Sequence, residues 1–546
     1  MNGATAIIKS LEKEGVSTIF GYPGATIAPF YDALAKSDIR HILVRHEQHA
    51  GHGASGYARI SGEPGVCAAT SGPGALNLLA AMGTAYMDSV PIVAFTGQVN
   101  SKLLGRDVFQ EADVTGAVAP FIKHSYLVSN AADIPRIIKE AFHIARTGRP
   151  GPVLIDVPVD VQLAEMKFAF PEEVHLRGYK PTIEGHPGQV KRTIQAIKQS
   201  KSPLICAGGG IFASHAQDTF LEFIEAFNIP VVSTLMGIGA IPTSHPLYMG
   251  QVGMHGKPAA NDAISRADTL ILMGARVSDR AVLLPDKVKR KTKIIHIDID
   301  PAEIGKNLDT FIPVVGDLAH VMRQMLNYAS PPKDDEWVNE LIEGKNAKPE
   351  GHVERDHGVN PKAFIKKLSL SLPEGFIYCS DVGQNQLWSA RNIEIGKSDR
   401  FLTTGGMGTM GYAIPAAVGA KLASCRAPNG KKKDNFVIAA CGDGSFQMSM
   451  MELATVVQHE IDIKVVVFVN SKLGLVREIQ DDAYHGARYA VDLTGSPDPV
   501  AIGSAYGIPG KRLSKPEDTE ASIAALTGHA GPFIVAVDVD ENESSL

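Results

Sequence analysis

Short apolar runs, each stopping at Gly, Pro, Asn, Asp or Ser, alternate with longer stretches whose apolar positions recur at helical spacing. That alternation predicts α/β architecture built on parallel sheets. In the first third, runs at 18–20, 41–44, 66–69, 92–95 and 153–155 read as strands. In the last third, strands are expected at 436–440 and 464–469, with a helix over 445–459 between them. Periodicity fades over 166–188, which carries Pro171, Pro181 and Pro187. It fades again over 330–360, a charged, proline-rich stretch around a short helix at 337–342. These two linkers divide the chain at about 1–165, 189–330 and 360–546, each piece an expected α/β domain.

Two runs of the last piece end on residues with metal chemistry. One stops at Cys441-Gly442-Asp443-Gly444-Ser445-Phe446, the other at Asn470. Both ends are carboxyl ends of strands, where open α/β sheets bind ligands. Gly442 and Gly444 let the backbone approach a bulky anion, and the N-terminus of the helix that follows favours negative charge. One carboxylate, one amide oxygen and phosphate oxygens form a hard-oxygen set suited to Mg²⁺. The pattern therefore predicts a diphosphate held through a metal. A plain Gly-Asp-Gly turn with an Asn cap is the alternative.

Composition narrows the class. With 546 residues, 44% hydrophobic and 21% charged, the chain is long enough for about three domains with substantial cores. A net charge of −6 leaves no basic footprint for nucleic acid. Cys67, Cys206, Cys379, Cys425 and Cys441 are odd in number and contain no Cys-x-x-Cys pair, which argues for reduced thiols in a cytoplasm. Residues 1–10 lead into an amphipathic helix rather than a signal peptide, and no apolar run reaches the roughly 20 residues of a membrane helix.

A second constellation, Arg45-His46-Glu47-Gln48-His49-Ala50, follows the run ending at Val44. Alone it reads as a solvated ion pair. In order with Gly21-Tyr22-Pro23-Gly24 and Thr70-Ser71-Gly72-Pro73-Gly74, it resembles the pyrimidine-binding domain of thiamine-diphosphate enzymes. The Gly-Asp-Gly to Asn pattern resembles their diphosphate domain, although Val469-Asn470 keeps only the second Asn of a common Asn-Asn. Further matches are Asp107-Val108-Phe109-Gln110-Glu111, Thr147-Gly148-Arg149-Pro150-Gly151-Pro152, Asp381-Val382-Gly383-Gln384 and Gly405-Gly406-Met407-Gly408-Thr409-Met410-Gly411-Tyr412. Over almost its whole length the chain resembles the large catalytic subunits of acetolactate synthase (acetohydroxyacid synthase).

The resemblance implies three doubly wound parallel-sheet domains: pyrimidine-binding (1–165), central FAD-binding-like (189–330) and diphosphate/Mg²⁺-binding (360–546). It implies Glu47 as the group that activates the cofactor by holding a pyrimidine proton, partly buried to do so. Met410 would prop the bent cofactor, Gln110 would line the reaction centre, and Arg276 would meet the acceptor carboxylate. Pro23, Gly24, Ser71, Gly383, Gln384, Asn385, Gly408, Gly442, Asp443, Gly444 and Ser445 would cradle thiamine diphosphate. Asp443, Asn470 and the carbonyl of Lys472 would hold Mg²⁺. The central matches imply FAD: Gly208-Gly209-Gly210, Thr234-Leu235-Met236, Met254-His255, the run from Gly274 to Arg276 and on to Asp279-Arg280, Asp298-Ile299, and Asp317. The flavin is structural in that family.

It further implies decarboxylation of pyruvate and transfer of the two-carbon unit to pyruvate or 2-oxobutanoate, in branched-chain amino acid biosynthesis. A homodimer or homotetramer is expected, because Glu47 and Asp443 serve one cofactor from two chains, and a small regulatory subunit is a possible partner. Four departures bear on the acceptor and the cofactor cradle: Ile479 in place of a common Trp, Ala25 for Gly, Val159 for Lys and Asn385 for His. A Pro-rich tail of many relatives has no counterpart before Leu546, which implies a more open site. Two other readings are a thiamine-diphosphate decarboxylase or carboligase with a different acceptor, and a nucleotide- or flavin-binding regulator without catalysis.

Overall fold

The computed structural model describes residues 1–278, 292–329, 336–347, 357–425 and 434–546. Its strands form three parallel six-stranded sheets. The first contains β1 (Thr18–Gly21), β2 (Arg40–Leu43), β3 (Gly65–Ala69), β4 (Ile92–Gln98), β5 (His124–Leu127) and β6 (Val153–Pro158), in the order β2-β1-β3-β4-β6-β5. The second contains β7 (Pro203–Ala207), β8 (Val231–Ser233), β9 (Tyr248–Gln251), β10 (Thr269–Met273), β11 (Lys293–Asp298) and β12 (Ile312–Val315), ordered β12-β11-β10-β7-β8-β9. The third contains β13 (Ile377–Ser380), β14 (Arg400–Leu402), β15 (Val437–Gly442), β16 (Lys464–Val469), β17 (Gly510–Leu513) and β18 (Phe533–Asp538), ordered β14-β13-β15-β16-β18-β17. Central strands are buried on both faces and so read as continuous apolar runs. β5 has no such run because it is an edge strand with half its positions exposed.

The first and third sheets share one winding, and they pack together through the helices that follow their second strands. These helices, Glu47–Ser61 and Ala413–Ser424, are rich in small residues. Ala54, Ala58, Ala417 and Val418 join strand residues of both sheets in one core. The backbones cross so closely that a Cβ at Gly419 would collide with the Gly53 carbonyl oxygen, and one at Gly56 with that of Ala416. This makes a prediction of sign. In an exposed helix, Gly→Ala gains about 1 kcal/mol. At Gly419 the collision costs about 1–3 kcal/mol. Gly419→Ala therefore lowers the thermal unfolding midpoint; a rise would show that the crossing has slack.

Residues 166–186 carry no helix and pack Met166, Phe168, Leu176 and Tyr179 onto the first core. A helix at Glu336–Ala347 covers the expected 337–342; of the linker expected around it, 330–335 and 348–356 lie outside the described residues. The helix expected over 445–459 is instead broken. A helix Asp443–Ser449 runs into a tight turn at Met450–Glu452, and a second helix follows at Leu453–Gln458. Ser449 departs from helical geometry (φ −133°, ψ 1°) at the break.

Candidate active site

Strand order fixes where ligands fit. In the first and third sheets the order reverses between the first and third strands of each sheet. In the second it reverses between β7 and β10, the order of dinucleotide folds. Each reversal lies beside some of the residues singled out above.

At the reversal of the third sheet, β13 and β15 end side by side. The Asp443 carboxylate, 4% exposed, accepts bonds from the Gly444 N–H (2.9 Å) and the Ser471 N–H (2.6 Å). Burial pushes it up to about 6, against those backbone donors. Asn470 Oδ1 accepts from the Lys472 N–H (3.1 Å), and Asn470 Nδ2 donates to Gln384 Oε1 (2.9 Å). Asp443, Asn470, Lys472 and Gln384 thus form one connected cluster. Gln384 is locked from behind: its Nε2 donates to Glu478 Oε1 (2.9 Å) and to the Glu543 carbonyl (2.7 Å). Gly383 (φ 132°) and Gly408 (φ 65°) take backbone conformations that favour glycine. The Met410 methyl lies 3.6 Å from where a Cβ on Gly444 would stand.

Two residues here had no role assigned from sequence, or the wrong emphasis. Asp381 is fully buried; its carboxylate accepts from the N–H groups of Val382 (2.9 Å), Gly411 (2.9 Å) and Ala413 (2.8 Å). Burial raises it to about 6. It clamps the loop that carries Met410. Asn385, expected as part of the thiamine diphosphate cradle and noted as a replacement for His, donates to the carbonyls of Asp381 (2.9 Å) and Ala440 (3.3 Å) and so ties β13 to β15.

At the reversal of the first sheet, Pro23 and Gly24 follow β1 and Ser71 follows β3. Thr26 Oγ1 accepts from the Ser71 N–H (3.0 Å), and a Cβ at Gly24 would collide with Thr70. Ser71 Oγ is buried without a hydrogen-bond partner, an orphan polar atom that a ligand would satisfy. Glu47 heads its helix, partly buried, with His46 capping it and Asn77 Nδ2 donating to Oε2 (2.9 Å). Gln110, at φ 60°, stands over the Gly72 turn. Among the described residues no hydrogen bond joins this cluster to that of Asp443. Next to Gln110, Phe109 is 86% exposed.

In the middle sheet, Gly208–Gly210 and Gly274 follow the two strands that flank the reversal. A Cβ at Gly208 would collide with the Gly274 carbonyl oxygen, so these glycines let the two loops touch. Thr234-Leu235-Met236 follow β8, and Met254-His255 follow β9, with Met254 52% exposed. Asp298 ends β11 and Ile299 succeeds it; burial raises Asp298 to about 6. His296 Nε2 in β11 and Gln251 Oε1 at the end of β9 are buried without hydrogen-bond partners among the described residues. Asp317 caps the helix Leu318–Leu326, accepting from the His320 N–H (3.2 Å).

Arg276 follows β10, partly buried and without a hydrogen-bond partner among the described residues. Burial, with neighbouring Arg149, lowers its pKa, while Asp88, Glu303 and Asp298 act the other way. Arg149 itself is paired with Asp300 and Glu303. Asp279 and Arg280 lie outside the described residues.

Among the described residues, no trio of His, Cys, Asp or Glu side chains is arranged to hold a metal. No described helix is long and apolar enough to cross a membrane.

Family models of thiamine pyrophosphate enzymes match as the N-terminal TPP-binding domain over 1–117, the central domain over 190–325 and the C-terminal TPP-binding domain over 381–537. A probable acetolactate synthase large subunit of Methanocaldococcus jannaschii is 44% identical over 100% of this chain and 93% of its own length. The acetolactate synthase large subunit of Corynebacterium glutamicum is 43% identical over 95% of this chain and 83% of its own. That of Lactococcus lactis is 40% identical over 100% and 94%. The chain therefore belongs to the acetolactate synthase large-subunit family of thiamine pyrophosphate enzymes.

Proposed function

We propose that this chain decarboxylates pyruvate and ligates the two-carbon unit to a second 2-oxo acid, pyruvate or 2-oxobutanoate, in branched-chain amino acid biosynthesis. The observation that carries this reading is the buried Asp443 carboxylate bonded to the segment of Asn470 and Lys472 at a strand-order reversal, in a chain that also keeps Glu47 at the first-sheet reversal. When bound, thiamine diphosphate supplies a nucleophilic carbon and an electron sink for loss of CO₂. Asp443, Asn470 and the Lys472 carbonyl hold Mg²⁺, with diphosphate oxygens completing the set. Glu47 holds a proton at the pyrimidine ring. Gln110 lines the reacting face, and the Arg276 guanidinium binds the acceptor carboxylate in a planar fork. The β7/β10 crevice, where Gly208, Gly210 and Gly274 let the two loops touch, takes FAD as a structural group.

A homodimer completes the site in this reading. Among the described residues no hydrogen bond joins the Glu47 and Asp443 clusters directly, and Phe109 beside Gln110 stands exposed to be covered by a second copy. The five free thiols suit a reducing cytoplasm. Incubation with thiamine diphosphate, Mg²⁺, FAD and pyruvate tests the reading: acetolactate with CO₂ supports it, acetaldehyde with CO₂ indicates a decarboxylase, and flavin binding without turnover indicates a regulator.

A second acceptor preference is favoured by Ile479. It lies on the helix Gly474–Ala483, 49% exposed, where an aromatic wall is common in relatives. One methylene against such a wall is worth about 1–3 kcal/mol. The enzyme should therefore discriminate weakly between 2-oxobutanoate and pyruvate, and Ile479→Trp should raise the acetohydroxybutyrate to acetolactate ratio in direct competition. CO₂ release from pyruvate should stay similar. A high ratio in the wild type, unchanged by the substitution, would assign the pocket to another residue.

A further inference from the structure

Strand β2 is the outer edge of the first sheet, and its free backbone groups are met by side chains from the third-sheet domain. Thr455 Oγ1 donates to the Leu43 carbonyl (3.0 Å), and His459 Nε2 accepts from the Leu43 N–H (3.0 Å). Beyond the strand, Glu452 Oε1 accepts from the Arg45 N–H (2.6 Å) and bonds the His49 ring at Nδ1 (2.9 Å). Glu452 is 1% exposed and His49 3%. A buried carboxylate holds its place only where donors surround it. These two donors lie two residues before and two residues after Glu47.

We propose that Glu452 is a positioning residue for Glu47. Resting on the cofactor-activating role read for Glu47, this adds a group from the other half of the chain that sets where its carboxylate stands. The break at Ser449 is what turns Glu452 toward β2; a continuous helix from Asp443 would carry it on another face. Asp443 heads the helix that ends at this break and Glu452 closes the turn after it, so this one segment touches the diphosphate half directly and the pyrimidine half through Arg45 and His49.

The test uses the full-length protein. With thiamine diphosphate and Mg²⁺ bound, deuterium exchange at thiazolium C2 is timed by quench and NMR. In the cofactor-free protein, amide exchange is measured for the peptide spanning 44–50. Glu452→Leu should slow C2 exchange about 10- to 100-fold, the cost of a small misplacement. It should speed amide exchange at 44–50 and leave the pyruvate KM unchanged. Glu452→Gln, which keeps an acceptor for the Arg45 N–H, should restore C2 exchange to within about threefold of wild type. C2 exchange at the wild-type rate in Glu452→Leu overturns the proposal, as does a Gln variant as slow as the Leu variant. Should Glu452→Leu not fold, His49→Phe carries the test: faster amide exchange at 44–50 with slower C2 exchange supports it, and no change in either overturns it. Glu47→Gln run alongside separates the two levels, because normal C2 exchange in that variant would overturn the role of Glu47 itself.

Discussion

Glu47→Gln should lower turnover about 10²–10⁴-fold, the range of a general acid–base group, while folding and flavin content stay intact. The geometry explains why the loss should be chemical rather than structural. Glu47 Oε2 accepts from Asn77 Nδ2, and a Gln carbonyl oxygen in the same place can accept that bond. The helix start is held by His46 and by the bonds of Glu452, none of which involve the Glu47 carboxylate. What Gln removes is the capacity to hold and release a proton. C2 deuterium exchange of the bound cofactor should slow in parallel with turnover. Near wild-type exchange in the variant would remove Glu47 from the activating role.

Asp443→Ala should raise the Mg²⁺ and thiamine diphosphate requirements together, by about 100-fold or more. Losing an outer-shell partner already costs 10–100-fold in metal affinity, and this change removes a direct ligand. It also removes the acceptor for the Ser471 N–H, so the segment carrying Asn470 and Lys472 loses its anchor with the carboxylate. The two requirements should move as one because the ion is held partly through the diphosphate. FAD affinity, read by flavin fluorescence on titration, should barely change, since the β7/β10 crevice belongs to another sheet. Loss of FAD with normal thiamine diphosphate binding would reverse the assignment of cofactors to domains.

The local pattern of the chain was enough to identify five strands of the first sheet and the two central strands β15 and β16 of the third. Central strands are buried on both faces, so they appear as apolar runs whatever their partners. Positions such as Asp443, Glu47 and Gly208 were legible for a related reason: each sits where such a run stops, and ligands of parallel sheets gather at those ends. β5 escaped because an edge strand with exposed faces leaves no apolar run.

Strand order was decided only by the tertiary structure, because periodicity says nothing about which strand lies beside which. That order brings the ends of β13 and β15 together and makes Asp381 a clamp on the Met410 loop, 30 residues away at Gly411. Small residues in the helices Glu47–Ser61 and Ala413–Ser424 signalled nothing until the backbones met at Gly53 and Gly419. The contact between Glu452 and Arg45 spans 407 residues. A lone Glu inside a helical pattern reads as solvated surface, and only packing against the edge of another sheet buries it. The sequence by itself determined the elements and the residues at their ends, since both follow from local burial. The tertiary structure decided how the two halves of the chain hold each other, since that depends on contacts between residues far apart in the chain.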